Sequence, residues 1–213
     1  MNRVFASLSI GFIFLAVGAF LLLYDAPKKS PSPEGEAVWA TYTNHAYDFE
    51  ISHPAHWIVA EFPDNEIAPM FNIYKPGQAV GTEPLDHFAS VTHVSIYPRG
   101  IPTEGVFGER RESAAQFGEE VAQTHDFLLE GGEVWATYAT FENFPSRWDA
   151  PGFVWAHVAI QDLEVVCMSG AEVVSDEACD PLFGDQIVRR GTISKADRTI
   201  EERMLASFKF LDE

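Results

Sequence analysis

Lysine and arginine are scarce: 14 of them stand against 32 aspartates and glutamates, a formal net charge of −18 over 213 residues. A surface that acidic repels phosphate backbones and anionic headgroups, so nucleic acid is not an expected partner. Cysteine is scarcer still. Cys167 and Cys179 are the only two, and no Cys-x-x-Cys or paired-histidine spacing accompanies them, which argues against a zinc site. There is no phosphate-cradling Gly-x-x-x-x-Gly-Lys run and no dinucleotide fingerprint. The nearest approach to a serine-hydrolase elbow, Met168-Ser169-Gly170, lacks its first glycine. The sequence therefore assigns no catalytic residue, no cofactor-binding residue and no metal ligand.

What is present is core-forming material. Apolar residues make up 46% and aromatic residues 13% of the chain, enough for one sizeable domain. No charge interrupts Val4 to Tyr24, and a bilayer core of about 30 Å needs about 20 such residues as a helix. The run ends in Leu21-Leu22-Leu23-Tyr24-Asp25 rather than in the small residues of a cleavage site. Three prolines and several polar residues between Asp25 and Glu36 suit an extended spacer. The expected organisation is a signal-anchor or transmembrane segment over 1–25, a Pro-rich linker over 26–36 and a globular domain over 37–213.

The domain reads mainly as strands. Tyr47 to Ser52 alternates apolar and polar, Pro54 stops it, and Trp57 to Phe62 resumes, a β-turn-β pattern. Further strands are expected at Met70 to Tyr74 and Val91 to Tyr97. Gly131-Gly132 between two strand-like stretches marks a tight hairpin needing positive φ. Phe153 to Ile160 and Leu163 to Met168, separated by Gln161-Asp162, repeat that arrangement and are expected as the central strands. Phe107, Arg111, Ala114 and Phe117 fall at helical spacing. Thr199-x-x-Glu202 has capping-box spacing before Ile200, Met204 and Phe208. The economical architecture is α+β, an antiparallel sheet with helices packed on it, preceded by one transmembrane helix.

The cysteines bear on location. An isolated pair behind a signal-like segment is most simply a Cys167–Cys179 disulfide made in an oxidising compartment, which puts the domain on the extracytoplasmic side of a cell membrane crossed once. The competing reading is two unconnected buried thiols. Charges flanking the apolar run, Arg3 before it and Lys28 and Lys29 after it, are too balanced to orient it.

Tyr47-x-Phe49-x-Ile51-x-x-Pro54-x-x-Trp57 near the domain start and Met204 to Phe210 at its end resemble the two ends of a PsbP-like (Mog1/PsbP) domain. The resemblance implies an αβα sandwich used for binding or assembly, in a family that includes photosystem extrinsic proteins, small-GTPase-binding proteins and bacterial envelope proteins. The lack of a lipid-anchoring cysteine and the retained span depart from many of its members. No binding residue is carried over.

His53 and His56 flank Pro54, and His93 and His157 sit in strand-like runs where they could share a sheet face. Loop and core histidines of this kind are more often structural than metal-binding. Trp135, Tyr138, Phe141, Phe144, Trp148, Phe153 and Trp155 are dense enough to line a groove, but core packing is the better account of them, since sheet-on-helix cores use such residues freely. The expected function is a membrane-anchored extracytoplasmic binding or assembly module with a protein partner in the envelope. The alternatives are a hydrolase-like envelope enzyme with dispersed catalytic residues and a structural accessory subunit of a membrane complex.

Overall fold

Apolar residues that occupy consecutive rather than alternate positions of a strand need cover on both sides, and the fold supplies it. The computed structural model of the protein describes residues 38–64, 68–78, 90–101, 108–117 and 120–211. The expected span from Val4 to Tyr24, the linker over 26–36 and Phe107 lie outside these residues. Among the described residues no helix is long and apolar enough to cross a membrane.

Thirteen described strands form three antiparallel sheets. The large sheet runs, in spatial order, β3 (Ile58–Phe62), β4 (Met70–Tyr74), β5 (His93–Tyr97), β9 (Phe153–His157), β8 (Val134–Phe141), β7 (Glu120–Leu128) and β6 (Arg110–Phe117). A small sheet holds β1 (Trp39–Asn44), β2 (Phe49–Pro54) and β13 (Lys209–Phe210). An outer sheet holds β11 (Glu172–Val174), β10 (Ile160–Ser169) and β12 (Gln186–Ile193). One α-helix, α1 (Lys195–Ala206), and 3-10 turns at Asp176–Ala178 and Pro181–Phe183 complete the described elements.

Every residue of β5 and β9 is buried. Val94, Ile96, Val154 and Ala156 pack with Phe71 and Ile73 against Phe49 and Ile51 of β2 and Met204, Leu205 and Phe208 at the end of α1. Tyr97, Phe153 and Trp155 pack on the other face with Met70, Phe127 and Trp135, against Ile160, Leu163 and Ile193 of the outer sheet. Each such side chain removed from water contributes about 1.5–3 kcal/mol, so both covering layers are held by burial.

This architecture corrects the expected α+β sandwich flanked by helices, because strands supply most of the cover. Arg110 to Phe117 is not helical. It pairs residue for residue with β7, from Arg110 opposite Phe127 to Phe117 opposite Glu120. A short helix with few apolar contacts is marginal, whereas a strand here completes a ladder. The C-terminal helix is present but starts earlier than Thr199. Ser194 is the N-cap, its Oγ accepting the Asp197 N–H at 3.2 Å, while Thr199 lies inside the helix and donates to the Lys195 carbonyl.

Two expected hairpins are also corrected. β2 and β3 do not pair with each other: β2 lies between β1 and β13, and β3 pairs with β4. β9 is central as expected, but β10 leaves the large sheet and pairs with β11 and β12, largely exposed. The Gly131-Gly132 hairpin is present, with φ of +106° and +87° joining β7 to β8.

Candidate functional site

The outer sheet carries the disulfide. Gly170 turns β10 back into β11, and β10 also pairs with β12 from Met168 opposite Gln186 to Ile160 opposite Ile193. Cys167, buried on β10, is bonded to Cys179 across a Cα separation of 5.9 Å. The disulfide expected from the isolated cysteine pair is therefore present, and it pins the connection between β11 and β12 onto the sheet.

Beyond Cys179 the connection is fixed a second time. Asp180 precedes the turn Pro181–Phe183, whose proline presets φ, and Gly184 ends it in the left-handed region at φ +108°. Asp185 Oδ2 accepts the Asp180 N–H at 2.9 Å, and the Phe183 N–H donates to the Asp180 carbonyl at 3.0 Å. The Asp180 N–H, with a further hydrogen bond from Ser169, holds the Asp185 carboxyl below its usual range. At the tip of this doubly fixed loop Leu182 is 72% and Phe183 88% exposed. Val165, also exposed, leaves β10 on the same face as Cys167 because the two lie two residues apart on one strand.

The outer sheet is tied to the body of the domain. The Glu130 N–H donates to the Arg189 carbonyl at 2.8 Å, Arg190 donates to both Glu130 carboxylate oxygens, and the Arg189 guanidinium lies 5.0 Å over the Trp135 ring. Cys167, Cys179 and Asp185 bring their donor atoms within 4.8 Å of one another, but sulfurs bonded to each other are not thiolate ligands. The cluster is a brace, not a metal centre.

Other candidate residues are placed apart. His53 is buried and donates Nδ1–H to the Pro54 carbonyl, while His56 is exposed, so the two do not converge. His93 and His157 are register partners with rings stacked 5.1 Å apart, and both donate through Nδ1 to the Val91 carbonyl, at 2.8 and 2.9 Å. Burial, reinforced by His93 and Arg189, lowers the His157 pKa well below that of a free imidazole. Trp135 closes over this pair, its ring 5.2 Å from His157. It is the extra residue where the β7–β8 register skips from Ala136 to Val134, a bulge that turns it to the same side as Ala136.

The aromatic set packs into the cores, as expected, rather than lining a groove. Trp135, Tyr138, Phe153 and Trp155 belong to one core and Phe141 and Trp148 to the other, with Phe144 partly exposed.

Sequence reasoning passed over two features. Glu201 is completely buried on the inner side of α1, its Oε2 accepting from Arg198 at 2.8 Å. Burial raises its pKa to about 8 against the opposing pull of Arg198. The visible signal is an acid in line with Met204, Leu205 and Phe208. The second is the exposed Leu182-Phe183 pair, signalled only by two large apolar residues between a proline and a glycine beside a cysteine. Comparison of the chain with known protein families, with characterised proteins and with solved structures finds no match.

Proposed function

We propose that the chain is a membrane-anchored binding module working on the extracytoplasmic side, with a protein partner in the envelope. The observation that carries this reading is the placement of the Cys167–Cys179 bond. It braces the outermost sheet, whereas the two cores are closed by burial of side chains such as Phe49, Val94, Phe153 and Trp155. A covalent brace spent on surface shape suits presentation of a fixed surface, and a disulfide suits an oxidising compartment. The charge of −18 favours basic protein faces over nucleic acid or anionic lipid.

The uncharged run Val4 to Tyr24 supplies the anchor in this reading. Holding two partners on one membrane raises their effective concentration toward the millimolar range, so a weak contact becomes useful. The test is to export residues 38–213 without the preceding segment, at equal abundance, into cells deleted for the protein. The domain should accumulate folded with its disulfide formed and fail to restore the wild-type phenotype. Full restoration would overturn the tethered reading.

A further inference from the structure

From Ile160 to Val188 the chain carries seven carboxylates, Asp162, Glu164, Glu172, Asp176, Glu177, Asp180 and Asp185, and no lysine, arginine or histidine. This stretch contains β10, β11, the disulfide-closed connection and the start of β12. Of its carboxylates Glu172, Glu177 and Asp180 are exposed around a loop whose tip displays Leu182 and Phe183. We propose that this loop is the docking surface of the module, with Phe183 and Leu182 inserting into an apolar cleft of a protein partner whose rim is basic. The proposal rests on the binding-module reading and adds to it the contact residues and the partner's chemistry.

Isolated exposed apolar residues are ordinary on any protein. The pair at this tip differs in how firmly it is held. Its backbone is fixed by the bond to Cys167, by Pro181, and by the contacts between Asp180 and Asp185. A loop already ordered loses little conformational freedom on docking, and an aromatic side chain seated in a desolvated pocket is the usual anchor of such contacts.

Charge selects the occupant. Arg190 pairs with Glu164 on the neighbouring strand at 3.5 Å, but a bilayer surface carrying anionic lipid would still meet the exposed Glu172, Glu177 and Asp180 around the loop, and the contact would be repulsive. A second copy docking through the same surface would bring two sets of exposed carboxylates, Glu172, Glu177 and Asp180 of each, together, which like-charge repulsion opposes. A cleft rimmed by lysine or arginine meets both features at once: the apolar tip is buried and the collar is paired at the rim. Complementary charge of this kind speeds encounter and makes it sensitive to salt.

The experiment uses the full chain in its native membrane, with the photo-reactive residue benzoylphenylalanine placed singly at Phe183, at Phe144 and at Val38, all exposed positions. Adducts are mapped to the residue by mass spectrometry. Position 183 should give a protein adduct on a peptide that places lysine or arginine beside apolar residues. Its yield should fall several-fold in 0.5 M salt, where the Debye length is about 4 Å against about 30 Å at 0.01 M, and on combined Glu172→Gln, Glu177→Gln and Asp180→Asn substitution. With the probe moved to Leu182, Phe183→Ser should lower the yield roughly 30-fold, as for loss of an anchor residue, while a non-reducing gel shows the disulfide intact.

Adducts only to lipid, adducts to a second copy, or yields indifferent to salt and to the carboxylates would overturn the proposal. A protein adduct from Phe144 or Val38 with none from position 183 would overturn it while leaving the binding-module reading standing. No protein adduct from any of the three positions would count against both.

Discussion

The backbone N–H of Ser52 donates to Ser207 Oγ at 2.9 Å, a bond between β2 near the start of the domain and the cap of α1 near its end. The contact continues in the core, where Phe49 and Phe208 stack with ring centroids 6.0 Å apart and Phe210 pairs with Phe49 in the small sheet. The two ends of the domain are thus one packed unit. Phe208 has no exposed surface and also meets Phe141, Trp148 and Phe210. Phe208→Ala should cost roughly 3–5 kcal/mol, the range for a large aromatic removed from a packed core. Urea unfolding should show the midpoint reduced with its slope unchanged.

Glu201 makes stability depend on alkali. Burial raises its folded pKa from 4.5 to about 8, so between those values the folded state keeps a proton that the unfolded state releases. Stability is whole below pH 4.5 and declines as pH rises toward 8, by about 1.4 kcal/mol per unit. Glu201→Gln removes the titration while keeping an acceptor for Arg198. The stability difference between wild type and Glu201→Gln should therefore shift by several kcal/mol in favour of the variant from pH 4.5 to pH 8.5. A flat difference in parallel denaturation curves would show that the carboxyl ionises freely.

His157 works in the opposite direction. Burial, His93 and Arg189 depress its folded pKa below 6.5, so its stabilising effect is present above 6.5 and is lost as pH falls, because the unfolded imidazole takes a proton that the core refuses. His157→Gln should remove part of the acid sensitivity between pH 6.5 and pH 5. The measure is the slope of unfolding free energy against pH, which should be up to about 1.4 kcal/mol per unit shallower in the variant.

Features governed by neighbours in sequence were legible in it. Gly131-Gly132 specifies its hairpin because the turn itself demands positive φ, and the dense apolar runs at Met70, Val94 and Phe153 declare strands by their burial. Features governed by distant partners were not. The helical spacing of Arg111, Ala114 and Phe117 says nothing of β7, whose ladder decides the conformation. Gln161-Asp162 reads as a hairpin turn, yet the chain leaves β9 earlier, where the Val158 N–H binds the Trp135 carbonyl and the Ala159 N–H binds Thr92 Oγ1. Asp162 at φ +53° then marks only a register shift within β10. The disulfide was legible from its isolation as a pair, but the exposure of Leu182 and Phe183 beside it was not, because accessibility belongs to the packed whole.

The same separation of brace from core predicts what loss of the disulfide does. Cys167→Ser with Cys179→Ser opens a link across a sequence separation of 12, which frees chain entropy in the unfolded state worth about 3 kcal/mol. The cores built on Val94, Ile96, Tyr97, Phe153 and Trp155 do not include the bonded connection, so the remaining fold should persist with its aromatic near-ultraviolet signal retained. Damage should concentrate between β11 and β12, where the 3-10 turns lose their link to Cys167. Brief proteolysis of the folded variant should cut first between Ser175 and Gln186, while the wild type resists there under the same conditions. Cleavage spread evenly over the domain would mean that the bridge supports the cores after all and is not a device for holding a surface loop.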